Sequence, residues 1–187
     1  MLKRISYIIV FIMLLMSSCT QEYIPKPREY FRIDLPEKDY KQYESDYPFS
    51  FENPVYSRVI DKNKDSCWVD VIFPDFDATI FLTYRVVKNN LDVYLEEAHS
   101  FAYKHTVKAD AINEFMLTYP EHKVYGVIYE IKGNAASSVN FYATDSTSNY
   151  LRGALYFNVV PNKDSLAPVI EFLTDDIAHI IETLEWK

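Results

Sequence analysis

The run VYGVIYEIKGNAASSVNFYATDSTSNYLRGALYFNVV, Val124 to Val160, sets the architecture of this chain. It holds three strand-like segments, Val124–Ile131, Ser137–Ala143 and Leu151–Val160. Lys132-Gly133-Asn134 separates the first two and supplies a residue free to take a positive φ. Asp145 to Asn149, DSTSN, separates the second pair with side chains that hydrogen-bond their own backbone. Alternation supports the strands: Phe141 and Ala143 point one way, Asn140 and Tyr142 the other. Leu151, Gly153, Leu155 and Phe157 likewise oppose Arg152, Ala154, Tyr156 and Asn158. The run predicts an antiparallel meander at the centre of one sheet.

Downstream, Pro161 to Ser165 introduces a helix. Its stripe is Leu166, Val169, Ile170, Leu173, Ile177, Ile180, Ile181 and Leu184. Pro168 is tolerated in the first turn, where backbone donors are orphaned anyway. Upstream, Ala111–Tyr119 alternates as a strand and turns at Pro120-Glu121-His122 into Val124. Before it, Asn89 and Asn90 offer an N-cap to a helix whose stripe is Leu91, Tyr94, Leu95, Ala98, Phe101, Ala102 and His105, ending near Asp110. Cys67–Phe73 and Ala78–Tyr84 form a hairpin across Pro74 to Asp77. Pro48–Ile60 reads as one strand interrupted at Pro54. Lys38–Tyr47 is polar, Tyr-rich and irregular, and Glu29–Pro36 is a short edge segment. The expected order is βββα(β)βββα. This is an α+β domain in which an antiparallel sheet of about six or seven strands packs with two long helices. By fold analogy alone it is PsbP/Mog1-like.

Residues 1–18 read as an export signal. Lys3 and Arg4 form a basic start, and Ile5–Met16 is an apolar run too short to span a bilayer, where ~20 residues are needed. Ser17-Ser18-Cys19 then matches a lipobox, with Met16 where Leu is usual. The Cys19 thiol is therefore expected to carry diacylglycerol, with a further fatty acyl chain such as palmitate on its amine. Residues 19–28 form a tether in which Pro25 and Pro27 favour polyproline II, reaching roughly 28 Å from the lipid. Residues 29–187 form one globular domain. Thr20, rather than Asp, after Cys19 points to the outer membrane, with the inner membrane as the alternative.

Aromatic residues make up 16% and apolar residues 49% of the 187, ample for a core. The formal charge is −8; removal of Lys3 and Arg4 leaves 17 basic against 27 acidic residues, or −10. That balance argues against nonspecific binding to nucleic acid or anionic lipid. After processing only Cys19 and Cys67 remain, and with Cys19 lipidated no intrachain disulfide can form. Cys67 reads as a small core hydrophobe.

Catalytic patterns are lacking. There is no glycine-rich phosphate loop, no Gly-x-Ser-x-Gly elbow and no His-Glu-x-x-His. Ser146 and Ser165 follow acids, but at turn and cap positions. Two acid–histidine pairs share helical faces, Glu96 with His99 and Asp176 with His179. A metal site would need both helices to aim these inward, and solvated or edge histidines explain them; no metal or cofactor is expected. Lys104, His105, Lys108 and Asp110 cluster in the C-terminal turn of the first helix, and Arg152 adjoins Gly153. These five are candidates for contact with a partner.

Several segments carry a family resemblance: YIPKPREYFRIDLPEKDY, YKHTVKADAI, KGNAASSVNFYATDST and NYLRGALYFNVVPNKDSLAPVI. They resemble the gliding motility lipoprotein GldD family of the Bacteroidota, over nearly all of the mature chain. The resemblance implies a periplasm-facing lipoprotein of the gliding motility and type IX protein secretion machinery. Its partners would be other proteins of that machinery, and its role noncatalytic. The alternative is a periplasmic ligand-binding or carrier module with a tyrosine-lined pocket.

Overall fold

The computed structural model describes residues 33–44, 46–63, 67–104, 108–160 and 162–187. The elements in chain order are β1 (Tyr40–Tyr43), β2 (Phe49–Pro54), β3 (Arg58–Asn63), β4 (Trp68–Phe73), β5 (Ala78–Val86), α1 (Leu91–Tyr103), β6 (Ala109–Tyr119), β7 (Val124–Gly133), β8 (Ser137–Thr144), β9 (Asn149–Phe157), α2 (Lys163–Glu182) and β10 (Glu185–Trp186). A seven-stranded sheet has the order β3-β4-β5-β9-β8-β7-β6, and a three-stranded sheet has the order β1-β2-β10. Neighbours are antiparallel throughout. The expected α+β class and the meander β7-β8-β9 are both present, with β9 at the sheet's centre. Nine register pairs, Ala78↔Phe157 to Val86↔Asn149, join β5 to it.

Turn chemistry sets the strand ends. Gly133 closes β7 at φ +117, a backbone conformation that L side chains rarely adopt. Asp145 Oδ1 accepts from the backbone N–H groups of Thr147, Ser148 and Asn149 at 2.8–2.9 Å. Burial would raise this carboxyl, but those donors outweigh it and hold the pKa at about 2. At the β4–β5 hairpin, Pro74–Phe76 forms a 3₁₀ turn and Asp77 takes the left-handed region at φ 49.

Alternation divides the large sheet into two faces. The inner face carries Val69, Val71, Ile80, Leu82, Phe141, Leu151 and Leu155, each fully or almost fully buried. They pack with Phe49 and Phe51 of β2 and with Leu173, Ile177, Ile180 and Ile181 of α2 in one core. Gly153 lies under the Phe141 ring, and a Cβ there would come within 2.1 Å of the ring edge. α1 lies on the outer face.

Five expectations need correction. Pro48–Ile60 is two strands in different sheets rather than one. Pro54 lacks an N–H to continue a ladder. Ser57 Oγ then donates to the Pro54 carbonyl (2.7 Å) and Asn53 Nδ2 to Ser57 Oγ (2.9 Å), fixing the corner. α1 stops at Tyr103 rather than near Asp110, because the chain from Ala109 pairs with β7 in the register Ala109↔Gly133 to Tyr119↔Val124. Within Lys38–Tyr47, Tyr40–Tyr43 is the strand β1, held by β2. The β9 strand ends at Phe157 rather than Val160. Cys67 is also not in a strand: it sits at φ 49, just before β4.

Candidate functional site

The described residues cover only half of the outer face of the large sheet. α1 presents the small, buried Ala98 and Ala102 to the sheet, allowing close approach. Tyr150 of β9 donates its hydroxyl to the Tyr94 carbonyl at 3.1 Å. Tyr94, Tyr150, Tyr142 and Tyr129 pack ring to ring at centroid distances of 5.1–6.5 Å. These rings fill the space under α1, and burial pushes the Tyr129 hydroxyl up to about 12. Of the described elements, α1 reaches this side of β5 only at Arg85, which meets Glu97 and Tyr94, and β3, β4 and the rest of β5 lie beyond it. There Ile60, Trp68 and Phe81 are 41%, 51% and 45% exposed.

A cleft of about 430 Å³ opens where this bare surface meets α1. Its walls include Trp68, Arg85, Glu97, Tyr150 and Arg152. A second depression of about 630 Å³ continues it toward β3 over Lys62, Asp70 and Phe81, and Trp68 and Thr83 belong to both. The register explains the grouping: Trp68↔Thr83↔Arg152 and Asp70↔Phe81↔Ala154 are cross-strand rows on this face. Phe81 meets Tyr156 edge to face at 5.7 Å.

The charges of the cleft are unevenly matched. Arg85 binds Glu97 at 2.6 Å, and Lys62 sits 3.4 Å from Asp70. Arg152 has no carboxylate among the described residues within ion-pair distance. Its guanidinium lies 3.9 Å from the Phe101 centroid, a cation–π contact. Desolvation by burial lowers its pKa, and Tyr150 and Glu97 partly offset that effect.

Lys104 shares the Phe101 ring with Arg152, its ammonium 4.4 Å from the centroid. The structure thus brings two of the five expected contact residues together. It separates Asp110, which pairs with Lys163 at the start of α2 (2.6 Å). Lys108 is exposed just before β6. His105 and the lipidation candidate Cys19 lie outside the described residues.

The two acid–histidine pairs lie on opposite faces of the sheet. Glu96 and His99 are exposed on α1, where His99 stacks on Tyr103 at 4.2 Å. Asp176 of α2 is fully buried. It accepts from Lys38 Nζ (2.6 Å), the Tyr40 hydroxyl (3.0 Å) and the Tyr56 hydroxyl (2.8 Å to Oδ2). Burial first, and then the Asp176 charge and hydrogen bonds, push both tyrosine hydroxyls well above their ordinary range. His179 Nε2 lies 2.8 Å from Glu52 Oε2, and its ring stacks on Tyr40 at 3.6 Å. This is a clasp holding the chain around Lys38 and Tyr40 to α2. The partly buried Cys67 thiol packs against the core, and burial raises its pKa.

Sequence reasoning singled out Arg152 but not Trp68, Phe81, Arg85 or Glu97. Strand parity places Trp68 beside Asp70 on one face; that no described element covers them depends on where α1 packs.

Fold and cleft together describe an α+β domain with one closed sheet face and one partly bare face. The family model for the gliding motility lipoprotein GldD matches residues 20–186, and the chain belongs to that family. It is therefore a gliding-motility-related lipoprotein. No curated protein matches it at a significant level. No helix among the described residues is long and apolar enough to cross a membrane.

Proposed function

We propose that this protein is a noncatalytic, periplasm-facing subunit of the gliding motility and type IX protein secretion machinery. Cys19 anchors it by lipid, in the outer membrane, and it acts in assembly or function of the apparatus through contact with other subunits. Family membership from residue 20, directly after Cys19, supports the anchored reading. The single observation that carries the contact reading is the bare half of the outer face, where Trp68 and Phe81 stay half exposed beside Arg152. Exposed aromatic surface of this kind marks interaction sites in soluble domains. The acids and histidines that would serve catalysis are otherwise engaged or dispersed: Asp176 is saturated with donors, and Glu96 and His99 face solvent.

The test is complementation of a strain lacking the gene. Glu96→Gln, His99→Ala, His105→Ala and His179→Ala should each restore secretion at normal protein abundance. A well-folded His99→Ala or His105→Ala protein that abolished secretion while keeping every copurifying partner would reverse the noncatalytic reading. Labelling with a fatty-acid analogue should mark the wild type and not Cys19→Ala.

A further inference from the structure

We propose that the cleft at Arg152 and Trp68 is a docking groove for an extended segment of another protein of the machinery, one bearing a carboxylate next to an apolar or aromatic side chain. The carboxylate seats on Arg152, and the apolar side chain lies across Trp68 and Phe81. The occupant's being part of the machinery rests on the function proposed above.

Charge is the first argument. Arg152 is partly withdrawn from water and has no carboxylate within ion-pair distance among the described residues; Glu97 of the same cleft acts on it only through space and is held by Arg85. A guanidinium in that state gains from a planar carboxylate, which it binds with two parallel hydrogen bonds. The chain as a whole is at −8, so its field opposes an acidic tract. One carboxylate set in apolar sequence is what this balance admits.

Shape is the second. The cleft and its neighbouring depression run from β9 across β5 and β4 to β3. At ~4.8 Å per strand interval that is roughly 14 Å, about four residues of extended chain. The groove is open along its length, which suits a peptide better than an enclosed small molecule. Its residue types, Trp, Tyr and Arg, are those that dominate binding energy at protein interfaces.

A second copy of this chain, groove to groove, fits less well. The acids that line the groove, Asp70 and Glu97, are already paired with Lys62 and Arg85, so the groove of a twin offers no free carboxylate.

The experiment places a photoreactive phenylalanine analogue at position 81 of the full lipoprotein in its native cells. A control carries it at Val93, 58% exposed on α1. Mass spectrometry maps the adducts. The expected adduct from position 81 joins one stretch of another protein, with Asp or Glu within a few residues of the attachment point. Arg152→Gln should cut its yield roughly tenfold or more, as loss of a central anchor does, while Arg152→Lys keeps part of it. The Val93 adducts should not respond. Because Arg152→Gln could disturb α1, its melting temperature is measured alongside. A synthetic peptide of the mapped stretch is also titrated against Trp186→Phe protein, leaving Trp68 as the remaining tryptophan reporter. Replacing the peptide's acid by its amide should weaken binding about as much as Arg152→Gln does. Adducts with lipid, adducts with a second copy of this chain, adducts insensitive to Arg152→Gln, or none at all would each overturn the groove. Failure of the underlying function reads differently: the gene's deletion would leave secretion and gliding intact.

Discussion

Residues 69, 71, 80 and 82 of β4 and β5 face inward and are 0–1% exposed, while their chain neighbours Trp68 and Phe81 face outward at 51% and 45%. The backbone ladder is the same for both sets. What differs is cover. α2 and β2 close the inner face; among the described residues, α1 closes the outer face around β8 and β9, reaching Tyr129 of β7 and Arg85 of β5 but not Trp68 or Phe81. Burial of apolar area stabilises by roughly 25 cal/mol per Å², so the inner face holds most of the fold's stability. The bare outer residues contribute little to it and are free to meet a partner.

The largest expected effect comes from the closed face. Ile177→Asp places an unpaired charge at a fully buried site, at a cost of several kcal/mol against a total of roughly 5–15 kcal/mol. Thermal denaturation should then show no cooperative transition; a melt within a few degrees of wild type would mean that α2 does not close the sheet. Next is Asp176→Ala, which strands Lys38, Tyr40 and Tyr56. Breaking a buried pair typically costs ~3–5 kcal/mol, and about 2–3 is expected here because Lys38 is 29% exposed. Urea midpoints measure this, with Asp176→Asn intermediate because its amide oxygen still accepts from the tyrosines.

Gly153→Ala sharpens the comparison from within the sheet. Its methyl points inward at the Phe141 ring, so a loss of about 1–3 kcal/mol is expected, partly restored by adding Phe141→Leu. No recovery in the double variant would show that the clash lies elsewhere. Asp145→Ala removes the turn that joins β8 to β9. The folded carboxyl titrates at about 2, below its ordinary value of 3.8. Its contribution is therefore complete above the unfolded pKa and is lost as pH falls from about 4 through 2. Discounted for solvent exposure, the deficit should be about 1 kcal/mol at pH 7, and wild type and variant should converge near pH 2. The smallest effect belongs to the bare face: Trp68→Ser with Phe81→Ser should change stability by no more than ~0.5 kcal/mol. A large loss there would erase the distinction between the two faces.

Local pattern made much of the fold legible. Alternation located β5 to β9, and 3.6-residue periodicity located both helices and the inward stripe of α2. It failed where long-range pairing overrode local preference. The stretch after Tyr103 continues a helical stripe, yet β7 captures the chain from Ala109 onward as a strand. Tyr40–Tyr43 looks irregular by itself and becomes a strand only because β2 offers an edge. At the candidate site, Arg152 was visible as a cation in a strand, and its missing partner was not.

The sequence by itself determined the family, the meander and the two amphipathic helices, because each is written in neighbouring residues. Only the tertiary structure decided that Asp176 is a buried clasp, since its three donors come from 120–138 positions away. It also decided which half of the outer face stays bare. That choice depends on where α1 comes to rest against β8 and β9, a matter of packing between elements that no local spacing encodes.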